Sequence, residues 1–327
     1  MAPIDRRVRL WAWVVRHQAS VASRSEAEVI ALQSRHTPSN AVTNRLFGSV
    51  APGTLVTDRR IPGPGGDLPV RVYEPAGAAC DARPLIVYFH GGGFVFGDLR
   101  LGDWLCSQVA VTVGAVVVSV EYRLAPVHRF PAAVDDCYAG LAWAAENAAS
   151  LHAGGPLGVM GESAGGTLSA VICLLARDRG GPAISHQALL YPATDLTDAS
   201  ASAAAADERT PFLTPAEMAA YRLHYLAGAD PRDSRVSPLL ADDHRRLPPA
   251  LIQIAEHDPL HDDGARYAAA LRHAGVPVRL TEYVGMPHGY LNFPGLCRSA
   301  PQALAELCSE QAAALAPPVA AASGGPG

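Results

Sequence analysis

Leu157-Gly158-Val159-Met160-Gly161-Glu162-Ser163-Ala164-Gly165-Gly166 is an apolar run that breaks at a Gly-x-Ser-x-Gly turn and continues into a segment of helical period, about 164 to 178. A serine between a strand and a helix sits on a turn so tight that only small residues fit beside it, and Gly161 and Gly165 supply that clearance. The turn exposes the hydroxyl and sets the N-terminus of the next helix beneath it, where the helix dipole favours developing negative charge. In a chain with 30 glycines the pentapeptide carries little weight alone. Three other segments change that: His90-Gly91-Gly92-Gly93 upstream, and Glu256-His257-Asp258-Pro259-Leu260 and Pro287-His288-Gly289 downstream.

A serine hydroxyl is a poor nucleophile at neutral pH and needs a base within hydrogen-bond reach. His288, in a loop after the last apolar strand, is the candidate; His257 and His261 compete with it but read as structural. The acid that orients the imidazole is Asp258, which closely follows the strand Leu251 to Ile254, with Glu256 as rival. Asp262 and Asp263 read as caps of the next helix. An oxyanion needs preorganised donors, and the amides of Ala164, Gly92 and Gly93 are the candidates, with His90, Gly91 and Glu162 as motif support. The order Ser163, Asp258, His288 behind a glycine-rich donor loop is that of the α/β-hydrolases, so hydrolytic chemistry is expected. Phe94, Phe96, Tyr191 and Tyr290 are the candidate pocket residues.

Outward from the turn, β-branched apolar runs alternate with helical segments from about residue 84, the signature of βα repeats and a mostly parallel sheet. Strands are predicted at 85–89, 115–120, 157–160, 188–191 and 251–254, and their unbroken apolar character fits cover on both faces. The segments 54–61 and 68–73 predict an antiparallel hairpin around Pro62 to Asp67. Helices are predicted at about 99–113, 131–149, 164–178, 261–274 and 299–315, with a stop at Gly275. Val278 to Val284 alternates and predicts a final strand with one face to solvent, an open edge suited to a homodimer. Residues 1–48 have a helical pattern and predict an N-terminal cap segment. A second cap segment, inserted at about 195–237 in a catalytic domain of 49–316, contains the Ala-rich stretch 199–206 and a helix from Pro215. The tail 317–327 reads as disordered.

Composition excludes several classes. The chain has 327 residues, is 49% hydrophobic and 17% charged, and has a formal net charge of −5, so nothing draws it to nucleic acid or an anionic membrane. It contains no Lys, and the Arg-only cation set with abundant Ala reflects composition bias rather than a phosphate-reading face. The apolar stretch after Arg6, Arg7 and Arg9 is cut short by Arg16 and His17, and no run is long enough to span a bilayer, which makes a cytoplasmic protein the expectation. Six cysteines without C-x-x-C spacing predict neither a structural disulfide nor zinc.

The chain resembles the hormone-sensitive-lipase-like carboxylesterases over roughly residues 68 to 293. The segments that carry the resemblance are His90 to Phe94, Tyr122-Arg123-Leu124-Ala125-Pro126, Phe130-Pro131-Ala132-Ala133, Gly161 to Gly166, Asp258-Pro259-Leu260 and His288-Gly289. The resemblance implies an eight-stranded hydrolase sheet with helices and a helical cap, no metal, no organic cofactor, and a small-molecule ester of short acyl chain as substrate. Two positions depart from the family pattern: Glu162 stands where Asp is usual, and Val127 where Glu is usual. A lyase or cyclase using His288 as base, or a binding module on the same fold, are the alternatives, since fold and triad do not fix a reaction.

Overall fold

The computed structural model describes residues 2–34, 40–77, 82–197, 200–207 and 210–316, and for residues 15–19 the backbone alone. The tail 317–327, expected to be disordered, lies outside the described residues, as does Cys80. Eight strands form one sheet: β1 (Thr54–Gly63), β2 (Gly66–Pro75), β3 (Leu85–Phe89), β4 (Val116–Val120), β5 (Leu157–Glu162), β6 (Ile184–Leu190), β7 (Ala250–His257) and β8 (Val278–Pro287). Their order is β1-β2-β4-β3-β5-β6-β7-β8. The hairpin β1/β2 and the pair β2/β4 are antiparallel, and every other pairing is parallel. Mostly parallel sheets need cover on both faces, and the helices between strands provide it.

Those helices are α4 (Asp103–Val113), α5 (Ala132–Glu146), α6 (Ala164–Arg179), α9 (His261–His273) and α10 (Ala300–Ala314). All residues of β3 and β4 are buried, and alternate side chains enter opposite cores. Leu85, Val87 and Phe89 join the core that contains Val134 and Leu141 of α5, Leu168 and Ile172 of α6, and Tyr267 and Leu271 of α9. Ile86 and Tyr88 join the core of Leu105 and Val109 of α4 and Leu307 of α10. α9 ends just before Gly275, whose φ of +80° lets Val276 N–H turn back to the Leu271 carbonyl.

Two groups of helices stand outside this rhythm. The N-terminal ones are α1 (Arg6–Ala19), α2 (Glu26–Gln33) and α3 (Ala41–Phe47). Val8 is buried with Tyr283 and Met286 of β8, while the Gln33 side-chain amide donates to the carbonyls of Val95 and Ala125 at 2.7 and 2.6 Å. The others, α7 (Ala201–Ala205) and α8 (Pro215–Leu226), follow β6. Thr214 and Glu217 form a reciprocal capping box that starts α8 with Pro215 in its first turn. Both groups reach the C-terminal end of the parallel strands, where the loops after β3, β5, β7 and β8 converge.

Candidate active site

Ser163 stands alone between β5 and α6 with φ 52° and ψ −120°, a backbone state that ordinary residues avoid. The neighbours explain how it is held. A side chain at Gly161 would collide with the Gly165 backbone, and one at Gly165 with the carbonyls of Phe89 and His90. Ser163 N–H is anchored to the Leu190 carbonyl at 2.8 Å, and its own carbonyl accepts from Thr167 N–H at 3.0 Å in the first turn of α6. Strain of this kind gathers here. Seven non-glycine residues have positive φ among the described ones, and four of them, Phe94, Ser163, Tyr191 and Phe212, line one cavity. Each such residue costs about 1–3 kcal/mol, and such costs persist where function needs the geometry.

Sheet register brings the other two side chains to the serine. His257 is paired with Pro287, so Asp258 and His288 leave β7 and β8 side by side. The Ser163 Oγ to His288 Nε2 distance is 2.9 Å, and His288 Nδ1 lies 2.8 Å from Asp258 Oδ2. Asp258 Oδ1 accepts from Leu260 N–H at 2.8 Å, which fixes the carboxylate. The Asp258 side chain is fully buried and His288 is only 9% exposed. With Nδ1–H donating to Asp258, the lone pair of Nε2 faces the serine hydroxyl and is ready to take its proton.

The competing residues are occupied elsewhere. Glu256 accepts from the amides of Ala2 and Gly285, both at 2.8 Å, and His257 Nε2 lies 2.6 Å from the Ala2 carbonyl, so both hold the N-terminal segment against β8. His261 pairs with Asp262 at 3.1 Å. Asp262 and Asp263, expected to cap α9, instead tie it to the segment after β6. Asp262 accepts from Ser202 N–H at 2.8 Å and Asp263 from Asp195 N–H at 3.1 Å. No side chain caps α9. Burial pushes the Asp263 carboxyl up to about 7.

The loop after β3 turns through Gly92 at φ +112° and Gly93 at φ +63°. A side chain at Gly92 would strike the Phe96 backbone and one at Gly93 the ring of Tyr221, so glycine is required at both. The N–H groups of Gly92, Gly93 and Ala164 donate to no backbone carbonyl among the described residues. His90 stacks on Tyr122 with ring centroids 4.2 Å apart and directs Nδ1 to the Gly91 carbonyl at 2.8 Å. Burial lowers this imidazole to about 4, so it braces the loop as a neutral group.

Glu162 is wholly buried. Tyr88 and Tyr191 each donate a phenolic hydrogen bond of 2.7 Å to its carboxylate, and the Asn292 side chain and Gly91 N–H also bond to it. Burial raises its carboxyl while these four donors pull it back. Glutamate in place of aspartate thus links the serine turn, the donor loop and the chain after β8. The second departure is neutral, because Val127 is 53% exposed. The loop beside it is held by the buried Asp136, which takes two bonds of 2.8 Å from the Arg123 guanidinium.

Ser163, His288, Ala164, Gly91, Gly92 and Gly93 open onto a cavity of about 220 Å³. Of the four expected pocket residues, Phe94 and Tyr191 line it. Phe96 lines a second cavity of about 420 Å³, between the donor loop and α2 and α3. Tyr290 lines neither and is a correction: it is fully buried behind Tyr191, with its hydroxyl directed to Gln253 at 3.3 Å. Most of the wall comes from residues the sequence reading missed: Leu213, Met218, Tyr221 and Arg222 in and just before α8, and Phe293 after β8. The signal for α8 was the i, i+3, i+4, i+7 stripe 218, 221, 222, 225.

A family model described as alpha/beta hydrolase fold matches residues 86–292. The chain belongs to the α/β-hydrolase fold family. It is similar to esterase LipI of Mycobacterium tuberculosis, 43% identical over 258 residues that cover 78% of this chain and 80% of that one. It is also similar to an ethyl acetate hydrolase of Pseudomonas putida, 37% identical over 73% of this chain and 76% of that one. Among solved structures, a Pyrobaculum calidifontis esterase superimposes with a TM-score of 0.83 at 34% identity, covering 96% of this chain and 100% of the other. In this α/β-hydrolase no group of three or more His, Cys, Asp or Glu among the described residues is placed to hold a metal ion. No helix among them is long and apolar enough to cross a membrane.

Proposed function

We propose that Ser163, His288 and Asp258 act as nucleophile, general base and orienting acid, with the amides of Ala164, Gly92 and Gly93 as oxyanion donors. The observation that carries this reading is the unbroken chain of contacts from Ser163 to His288 to Asp258, at 2.9 and 2.8 Å, on a serine held at positive φ. The chain is a serine hydrolase of carboxylic esters, and its substrate is a small-molecule ester. Ser163 Oγ attacks the ester carbonyl as its proton passes to His288 Nε2, and the negative charge on the carbonyl oxygen is met by the donor amides. Collapse breaks the bond to the alcohol oxygen, which leaves with the proton from Nε2. A water molecule then repeats the sequence on the acyl-enzyme and releases the acid. Asp258 keeps Nδ1 as donor and stabilises the imidazolium without taking the proton.

Finer features follow from the same evidence. The segments from His90 to Gly93, Tyr122 to Pro126 and Gly161 to Gly166 support membership of the hormone-sensitive-lipase-like branch. A cavity of about 220 Å³ lies below the range of about 300–1,000 Å³ common for drug-sized ligands, which supports short acyl chains. The N-terminal segment and the insertion bearing α8 act as a cap, supported by Tyr221 over Gly93 and by Gln33 on the donor loop. β8 ends the sheet order, and its Val284 is 60% exposed, which supports a homodimer formed along this edge. A p-nitrophenyl acetate assay tests the mechanism: an initial burst of phenolate that scales with enzyme and vanishes in Ser163→Ala is expected, and turnover that survives the substitution overturns it.

A further inference from the structure

The cavity wall is apolar except at one place on the cap side. Phe94, Leu196, Phe212, Leu213, Met218 and Phe293 supply carbon, while Arg222 brings a guanidinium. Its position follows from helix geometry. Met218, Tyr221, Arg222 and Tyr225 form one stripe of α8. Tyr225 stacks on Phe94 at 3.8 Å between centroids, and Tyr221 lies against Gly93, so the stripe faces the donor loop. Arg222 is half-buried, and burial lowers its pKa; it also interacts within the protein. The carboxylates nearby are spoken for. Asp195 lines the same cavity, but its side chain is 1% exposed, 2.9 Å from Arg266 and bonded to Thr197. Asp258 is enclosed behind His288.

An anion entering an apolar cavity loses hydration and is rejected unless a cation meets it. A guanidinium meets a carboxylate with two parallel hydrogen bonds, strengthened where water is excluded. We propose that Arg222 selects esters carrying a free carboxylate away from the scissile bond, such as half-esters of dicarboxylic acids. This inference rests on the ester-hydrolase reading. The serine holds the ester carbonyl at the elbow while the distal carboxylate reaches α8, so one small ligand is fixed at both ends.

The test compares ethanol release from monoethyl glutarate and from ethyl pentanoate at pH 8, where the former is anionic. Both have a five-carbon acyl chain. The parent enzyme should favour the half-ester in kcat/KM. Arg222→Leu should lower kcat/KM for the half-ester at least tenfold and raise that for ethyl pentanoate, reversing the preference, while Arg222→Lys keeps part of it. A ratio unmoved by Arg222→Leu, or an equal loss on both esters with a lowered melting temperature, overturns the inference and marks Arg222 as structural. Labelling of Ser163 by a fluorophosphonate separates the two levels: a labelled serine with an unmoved ratio sinks only the selectivity, whereas no labelling and no hydrolysis of either ester sinks both.

Discussion

Ser163, His288 and Asp258 are separated by 95 and 30 residues of chain order, yet each is the first residue or so beyond a strand, and that is why they could be read. Catalytic groups at strand ends inherit their position from the sheet, so motif and order suffice. Ser163→Ala should lower ester turnover by at least about a thousandfold with an unchanged melting temperature, because triad members act as a unit. The rate should climb with rising pH as the His288 imidazole becomes free to accept a proton, and His288→Asn should abolish that acidic limb. Asp263 offers a separate pH test. Its folded carboxyl, raised to about 7, holds a proton that the unfolded chain gives up near pH 4. Its contribution to stability is therefore full below about pH 4 and is lost as pH rises towards about 7. Asp263→Asn should raise the melting temperature more at pH 8 than at pH 5, and a gain independent of pH would refute the assignment. Tyr290 was misread because sequence proximity to His288 says nothing about which side of the chain faces the cavity.

At the scale of elements, every strand and helix of the βα core was legible from its apolar period, including the hairpin and the solvent-facing last strand. The roles of the cap elements were harder to read. α8 was visible as a helix through Pro215, but its stripe faces a loop more than a hundred residues away, and only the folded chain pairs Tyr221 with Gly93. The capping role expected of Asp262 and Asp263 failed for a similar reason: a first-turn aspartate prefers whichever amide is left unpaired, and here the segment after β6 supplied it. Gln33→Ala removes two hydrogen bonds to carbonyls flanking the donor loop and should cost about 1–3 kcal/mol in chemical denaturation. It should also slow turnover, and a variant equal to the parent in both would detach α2 from the site. Val284→Asp places charge on the exposed edge strand. Light scattering should then report monomer in place of the proposed dimer, and a persisting dimer would require another surface.

Across the whole molecule, one sheet with its helices sets four loops at one end, and the cap elements close the space above them. The polar network is continuous through that end. Glu162 joins the serine turn to Tyr88 on β3 and to Tyr191 after β6, and the Tyr191 ring meets His288 edge-on with centroids 5.2 Å apart. The substrate class was beyond the sequence because the cavity wall is drawn from segments distant in the chain. The central claim, that Ser163 is activated by His288 to form a covalent acyl-enzyme, is tested most directly by intact-protein mass spectrometry after exposure to a fluorophosphonate. The account predicts one adduct per chain, mapped by peptide analysis to Ser163, absent in Ser163→Ala and strongly slowed in His288→Asn. Ester hydrolysis by a parent enzyme that takes up no adduct at Ser163 would contradict it.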